Sequence, residues 1–465
     1  MNNFTSLIYD HLPRPFQTLG INVFELDEWA MRKTKRFSQS LRFLQSTETW
    51  SEEKILDYQN EHLRNIVKYA YEHVPFYHEL YKKKSIDVGK IRTVQDLEQL
   101  PIINKNDVSK NWDRFISTKR ERYIIRSTSG TTGHPLTIRI SYELDIIDKA
   151  NSYRRDLWGG YNGRYIARLV GDRPVKDCSK DPLYRKSYVM RRVIFPSYCL
   201  SLEKIKTIIA DMKKLGVEYL QCYPSTGYFL AKYLESADEF LPLKAVFYSS
   251  EPLYQYQRNI MEERFSTKLF GYYSSAEEVV SAVECEQGNY HLTQVDGVLE
   301  IVKDGKVVDA GEKGFTVTTT LHNYAMPLIR YELNDYTGVL KDDCRCGRKL
   351  SLVYPVETKK EDFVITSDGR LISPSLLTFP FKDQKDIIES QIIQKNADSI
   401  LLRIVKNDSF QQQNENQLIH SMREIVGTEM TLKIEYVNNI HRTKNQKKRF
   451  VINELGENYF ERQIL

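Results

Sequence analysis

The chain has 465 residues, of which 41% are hydrophobic and 28% charged, so wholesale disorder and a collagen-like or coiled-coil rod are excluded. Its length is generous for one domain and suits two or three. With 67 basic and 62 acidic residues the net charge is +5, too small an excess to point to nucleic acid.

No apolar run approaches the roughly 20 residues that span a bilayer. Met1 to Glu28 lacks a basic patch followed by a long apolar stretch, so no signal peptide is expected there. Six cysteines are too few for a disulfide framework, and a cytoplasmic protein without a transmembrane segment is the reading. Oligomeric state leaves no mark in the sequence.

In chain order, residues 32–42 carry Arg32, Lys33, Lys35, Arg36 and Arg42, with Phe37, Leu41 and Phe43 nearby. A solvated helix face is the reading; a membrane-surface helix is the alternative. Residues 60–72 are predicted helical from Leu63, Ile66, Val67, Ala70 and Tyr71, and Pro75 is expected to stop that helix.

The middle is the most readable part. Ser201 caps a helix whose one face is Leu202, Ile205, Ile208, Ile209, Met212 and Leu215, and Gly216 ends it. Then follow a strand at Val217–Cys222, a helix at Ser225–Ser236, a strand at Lys244–Tyr248, a helix at Leu253–Phe265 and a strand at Lys268–Tyr272. Alternation with short connections implies parallel pairing and right-handed crossovers. Ligands then sit beyond the carboxyl ends of the strands. Those ends carry Tyr223-Pro224-Ser225, Ser249-Ser250-Glu251-Pro252 and Tyr273-Ser274-Ser275-Ala276-Glu277, so three polar loops should line one edge.

Further on, Gly297–Val302 and Phe315–Thr320 read as strands of an antiparallel region. A hairpin of Phe363–Thr366 and Leu371–Ser373 turns at Asp368-Gly369. The charged stretch from Glu357 to Asp362 is the expected interdomain hinge. The fold class is therefore α/β. A large multi-layer N-terminal domain with mixed and parallel sheets, 1–360, begins with a largely helical 1–120. A small mobile α+β C-terminal domain covers 361–465, with the hinge near Glu361.

The segment Ser127-Thr128-Ser129-Gly130-Thr131-Thr132-Gly133-His134-Pro135 carries the chemistry. It lies between two apolar runs, Tyr123-Ile124-Ile125 and Leu136–Ile140, and is read as a loop between strands. Five hydroxyls and two glycines supply dense donors and let the backbone close around a polyphosphate. It is not a Walker loop, since no Lys-Ser/Thr pair follows at the required spacing.

The run Ser-Thr-Ser-Gly-Thr-Thr-Gly-x-Pro resembles the phosphate loop of adenylate-forming enzymes. Within them the chain most resembles the phenylacetate–CoA ligase branch, and there the CapK-like proteins found with polysaccharide biosynthesis. The likeness spans nearly the whole chain. It includes His73-Val74-Pro75-Phe76-Tyr77, the segment Leu97–Lys105, Ser249–Leu253, and Tyr273–Glu277 with Ser274 in place of the usual glycine. It continues through Arg330-Tyr331-x-x-x-Asp335, Thr358–Asp362 at the hinge position, and Arg442–Lys447.

The resemblance implies that ATP and a small carboxylic acid give an acyl adenylate and pyrophosphate. Coenzyme A or a sugar or polysaccharide precursor would then accept the acyl group. Ser129, Gly130, Thr131, Thr132 and Gly133 would grip the phosphates, and Glu277 would bind magnesium. Ser250, Glu251, Pro252, Tyr273 and Ser274 would flank the adenine and acyl pocket, Asp335 would hold the ribose, and Lys359 would stand where the hinge arginine does. Lys447, in a run with Arg442, Lys444, Lys448 and Arg449, would reach the α-phosphate. After adenylation the small domain would rotate and withdraw it. Lys359 for Arg, and Thr358, Gln446 and Ser274 for Gly, depart from the pattern.

Cys344-Arg345-Cys346, with Cys285 and His291 upstream, offers three thiolates and one imidazole, enough for a closed zinc site. Cys178, Cys199 and Cys222 read as buried or loop thiols. Three readings stay open: an acid-activating ligase, an adenylyltransferase acting on a hydroxyl, and a nucleotide-binding protein without turnover.

Overall fold

A computed structural model describes residues 9, 11–127, 136–175, 178–179, 182–356, 363–372, 374–381, 384, 386–440 and 449–455. Helices α1 (Arg14–Arg32), α2 (Lys35–Thr47), α3 (Glu52–His73), α4 (Pro75–Lys83) and the short α5 (Lys105–Lys110) open the fold. Pro75 ends α3 as expected, but it also starts α4. Its missing N–H is no loss in a first turn, and its fixed φ suits that position. Strands β1 (Tyr123–Ser127) and β2 (Thr137–Ser141) pair antiparallel, with Ser127 opposite Thr137. The segment 128–135, with the predicted phosphate-loop residues Ser129 to Gly133, lies outside the described residues, as do Lys359, Glu361 and Lys447.

Helix α6 (Tyr142–Trp158) leads into a nine-stranded sheet. Its strands are β3 (Ile166–Leu169), β4 (Arg185–Ser187), β5 (Arg192–Ile194), β6 (Tyr219–Cys222), β7 (Ala245–Ser249), β8 (Leu269–Ser274), β9 (Ser281–Glu284), β10 (Tyr290–Leu292) and β15 (Leu352–Val353). The order is β15-β10-β9-β8-β7-β6-β3-β5-β4, and β5-β3-β6-β7-β8 run parallel. Helices α7 (Leu202–Lys214), α8 (Pro224–Ser236) and α9 (Gln255–Arg264) connect β5 to β8. The predicted caps hold: Ser201 Oγ accepts from Lys204 N at 3.4 Å, and Gly216 takes φ +60.

Strand alternation gives the sheet two apolar faces. Ala167, Leu220, Cys222 and Val246 pack under Ile208, Met212, Phe229 and Met261 of α7–α9. On the other side Ile166, Tyr219, Ala245, Phe247 and Phe270 meet Trp158 of α6. A second, antiparallel sheet holds β11 (Gly297–Lys303), β12 (Lys306–Val307), β13 (Gly314–Thr320) and β14 (Tyr331–Thr337).

Beyond it come the predicted hairpin, β16 (Val364–Ile365) with β17 (Leu371–Ile372), and α10 (Pro374–Leu377). A last sheet, β20-β19-β18-β21, is formed by β18 (Ile387–Asn396), β19 (Ser399–Lys406), β20 (Thr431–Tyr436) and β21 (Val451–Asn453), with α11 (Gln412–Val426) against it. Its core shares one cluster with Tyr198, Cys199 and Tyr223 of the large sheet.

One sequence expectation is corrected. Cys178 and Cys199 are not thiols; they form a disulfide across 21 residues. Their loops meet only in the tertiary structure, so spacing gave no sign of the pair. Cys222 is a buried free thiol, as read.

A buried polar node fixes α6. Asn151 Nδ2 donates to Ser281 Oγ at 2.6 Å and Thr293 Oγ1 at 2.8 Å, and Ser281 Oγ donates to Asp296 Oδ2 at 2.6 Å. Arg154, fully buried, donates to Thr293 Oγ1 and to Leu44 O, both at 3.0 Å. Burial pushes Asp296 up from 3.8 to about 7. Its folded pKa is raised, so the fold prefers the neutral acid. Its stabilising share is complete below about pH 4 and is lost as pH rises through about 7. Melting curves of wild type and Asp296→Asn, taken from about pH 5 to about pH 8, should show wild type losing stability relative to the variant.

Candidate functional site

The three polar loops do share one edge. Cys222 pairs with Tyr248 and Ser249 with Tyr272, so the carboxyl ends of β6, β7 and β8 are neighbours. Ser225 N donates to Glu251 Oε2 at 3.1 Å, tying the first loop to the second. Ser250 holds φ +73, a left-handed conformation rare for a residue with a Cβ. Such strain recurs where backbone is held for function.

Two predicted residues far apart in sequence meet directly. Tyr273 Oη donates to Asp335 Oδ2 at 2.7 Å. Asp335 stands in an irregularity of β14: Val317 pairs with Glu332 but Phe315 with Tyr336, so β14 advances four residues while β13 advances two. The extra residues bend the strand and re-aim its side chains. Arg330, from the same motif, faces elsewhere. It is buried against Glu300 at 2.7 Å and donates to Leu100 O at 2.7 Å.

Glu277 follows β8 and is 7% exposed. It accepts from Tyr331 Oη at 3.2 Å. Burial pushes its pKa up, and the Lys105 ammonium opposes that. Burial lowers Lys105 in turn, and the Glu277 charge opposes that. A hard carboxylate held in low dielectric beside one cation suits a divalent ion such as magnesium. Ser250, Glu251 and Pro252 lie on the adjoining loop, and the Glu251 bond to Ser225 stays between the first two loops. Ser274 Oγ reaches Asp148 Oδ1 at 3.4 Å.

Sequence reasoning missed a layer beneath this edge. Arg126, two residues before segment 128–135, bonds Asp145 at 2.6 Å and Glu278 at 3.2 Å. Tyr272 Oη donates to Asp148 Oδ1 at 2.6 Å. Burial pushes both Asp148 and Glu278 upward. The available signals were adjacency and helix spacing. Arg126 abuts the motif, Glu278 follows Glu277, and Asp145, Asp148 and Lys149 share one side of α6.

A cavity of about 160 Å³ opens between α1, α6 and the ends of β3, β6 and β8. Asp148 and Tyr272 belong to it, and Glu28, Lys149, Arg168 and Gln221 also line it. Arg168 donates to Asp172 at 2.7 Å and to Gln221 at 2.9 Å.

From the far side of the edge comes the C-terminal segment. A Cβ on Gly171, at φ +89, would lie 2.8 Å from the Phe379 ring and 3.0 Å from Tyr223 Oη. Arg370 donates to Tyr198 O at 2.9 Å, and Arg173 pairs with Glu424 at 2.8 Å.

The predicted metal set also converges. Cys285, His291, Cys344 and Cys346 place their ligand atoms within 4.8 Å of one another. Strand β15 pairs with β10, Leu352 opposite His291, which brings the Cys-x-Cys turn to the β9–β10 hairpin. Cys285 and Cys344 sulfurs are 3.6 Å apart, and Cys346 Sγ is 3.3 Å from His291 Nε2. A carbonyl only accepts, so His291 Nδ1–H donates to Leu350 O at 3.3 Å and leaves the Nε2 lone pair toward the thiols. Three soft sulfurs and one imidazole are a zinc donor set.

Residues 364–454 match the CapK C-terminal domain. Over 458 residues the chain is 25% identical to Protein CapK of Staphylococcus aureus, covering 96% of this chain and 99% of that one. Over nearly its whole length the chain is similar to CapK. Phenylacetate-coenzyme A ligase of Thermus thermophilus is 26% identical over 330 residues, 68% of this chain and 73% of that one. A solved 2-hydroxyisobutyryl-CoA ligase, in complex with 2-HIB-AMP and CoA in the thioesterification state, superposes with a TM-score of 0.59 at 22% identity. That match covers 90% of this chain and 94% of that one, and it establishes the fold.

Proposed function

We propose that this AMP-forming ligase activates a hydrophilic carboxylic acid as its acyl adenylate. It then passes the acyl group to coenzyme A, or to an amine or hydroxyl of a sugar or polysaccharide precursor. The observation that carries the reading is the junction of Tyr273, Asp335 and Glu277 at the carboxyl edge of a parallel sheet. The saccharide acceptor rests on the resemblance to CapK-like proteins found with polysaccharide biosynthesis.

A carboxylate is a poor electrophile, and its attack on a triphosphate brings two anions together. In the first step a carboxylate oxygen attacks the α-phosphorus and pyrophosphate leaves. In the second the acceptor nucleophile attacks the acyl carbon and AMP leaves. Asp335 accepts from the ribose hydroxyls, and Tyr273 holds its carboxylate in place. Glu277 would hold magnesium, which would supply neutralising charge to the phosphates. Lys105 opposes the upward push that burial gives Glu277, and Arg126 braces the root of the phosphate loop against Asp145 and Glu278. The loop Ser129–Gly133, Lys359 and Lys447 keep the roles their motifs imply.

The polar cavity argues for the acid's character. Its walls carry Lys149, Arg168, Glu28 and Asp148, and an aryl ring seated there would strip water from charges without replacing it. Hydroxyl or amino groups would be accepted.

We also infer that Cys285, His291, Cys344 and Cys346 hold a structural zinc. The set is closed, and it joins β10 to the turn before β15 near Trp158 of α6.

Two measurements test these readings. Labelled pyrophosphate should exchange into ATP with a hydroxy or amino acid, and not with phenylacetate. Glu277→Gln and Lys447→Ala should cut that exchange by roughly 10²–10³-fold. Asp335→Asn should raise the KM for ATP about ten-fold or more, as loss of a charged hydrogen bond does. No exchange with any acid, while ATP still binds, would replace acid activation by adenylyl transfer to a hydroxyl. For the metal, plasma mass spectrometry should find about one zinc per chain. Cys344→Ser with Cys346→Ser should lose it and lower Tm; a native protein free of zinc and unaffected by chelators would refute the site.

A further inference from the structure

Helix α1 is amphipathic, yet its polar side faces the protein. Gln17, Ile21, Glu25, Glu28 and Arg32 recur at three- and four-residue spacing along one side. Gln17 and Glu25 are buried. Gln17 Oε1 accepts from Arg185 Nε at 2.9 Å, and Arg192 binds Glu25 at 2.7 Å and Glu28 at 2.9 Å. Asn22 accepts from Tyr188 N at 2.7 Å and donates to Lys186 O at 2.9 Å, clamping the β4–β5 turn to the helix.

The opposite side is an apolar stripe of Phe16, Leu19, Val23, Leu26 and Ala30, all exposed. Phe16, Leu19 and Val23 are 56%, 59% and 57% exposed, and Phe24 beside them 67%. Trp29 and, on the clamped turn, Tyr188 are exposed as well. Scattered apolar side chains at a surface need no explanation; a continuous stripe on a helix whose polar groups are turned inward does.

We propose that this face binds an anionic lipid surface, with α1 lying in the plane of the headgroup–acyl boundary. Charge selects that occupant. Arg14 at one end and Lys33 and Lys35 at the other are exposed, against the single exposed acid of the helix, Asp27; Arg36 beyond them pairs with Glu143 at 2.6 Å. Lys33 Nζ lies 5.9 Å over the Trp29 ring, so a cation and an amphipathic aromatic sit together where the stripe ends. Such pairs suit headgroup depth. A second copy fits less well. Antiparallel pairing of two stripes about a two-fold axis sets Arg14 of one against Lys33 and Lys35 of the other. No described helix is long and apolar enough to cross a membrane, so the contact is peripheral and weakened by salt. The expected membrane-surface alternative thus moves from residues 32–42, where Phe37 is buried, to the helix before them.

The test is co-sedimentation of the full chain with phosphatidylcholine vesicles, with and without phosphatidylglycerol. Binding is expected to the anionic vesicles and to fall with salt. Phe16→Ser, Leu19→Ser, Val23→Ser and Phe24→Ser combined should abolish it with an unchanged circular dichroism melt, since these side chains are exposed. Lys33→Glu with Lys35→Glu should weaken it roughly ten-fold or more. Absence of binding to anionic vesicles overturns the proposal, as does binding that the serine variant retains. A dimer seen by light scattering that the serine variant dissolves, without vesicle binding, assigns the face to a second copy.

Discussion

The site rests on one buried arginine. Arg154 lies wholly inside the protein, with donors to the Leu44 carbonyl in the last turn of α2 and to Thr293. A guanidinium in that setting tolerates few alternatives, because a buried donor left without an acceptor is costly. With Asn151 it locks the middle of α6 to the β9 and β10 region. The helix spans 17 residues, about 25 Å, and its two ends inherit that fixation. The N-terminal end presents Asp145 and Asp148 beneath the catalytic edge. The C-terminal end sets Trp158 under the Arg348 guanidinium at 3.9 Å and edge-on to His291. A strut held at its middle thus couples the geometry of the cysteine cluster to that of the nucleotide edge.

Around that edge carboxylates are crowded. Glu277, Glu278, Asp148 and Asp145 stand where the proposed reaction would place the phosphates. The upward shifts of Glu277, Glu278 and Asp148 have one cause, burial of negative charge, and one remedy, a nearby positive one. Arg126 bridges two of the acids and Lys105 faces a third. In the proposed reaction a divalent ion held at Glu277 would supply the missing positive charge.

Much of the candidate site's sheet edge was readable because it is local. Strands β6 to β8 and helices α7 to α9 follow from short-range periodicity, with Ser201 and Gly216 marking where a helix begins and ends. Tyr273 and Asp335 were named separately from their motifs, 62 residues apart; their bond needed a sheet edge and a strand irregularity to form. What stayed hidden has no local cause. Nothing near Cys178 selects Cys199 as its partner, since both loops acquire their places from the sheet. Asp148 resembles any helix-surface acid until Tyr272 covers it. Helix α1 shows its stripe plainly, but periodicity states only that two faces differ. Which one turns inward depends on Arg185 and Arg192, more than 150 residues away.

The contact between the C-terminal sheet and the strand ends bears on how two steps share one edge. Phe379 fits only because residue 171 has no side chain, and Tyr198, Cys199 and Tyr223 lend their surfaces to the C-terminal core. Among the described residues, Arg370 to Tyr198 O and Arg173 to Glu424 are polar ties across that contact. An apolar contact pinned by few directional bonds can be exchanged for another of similar area without stranding buried donors. The disulfide stiffens the platform beneath it, joining the loop after β3 to the segment after β5. A rigid platform and an adaptable cap suit the domain rotation that the resemblance implies: the strand ends would keep the nucleotide aligned while the second face of the small unit came to the acyl group.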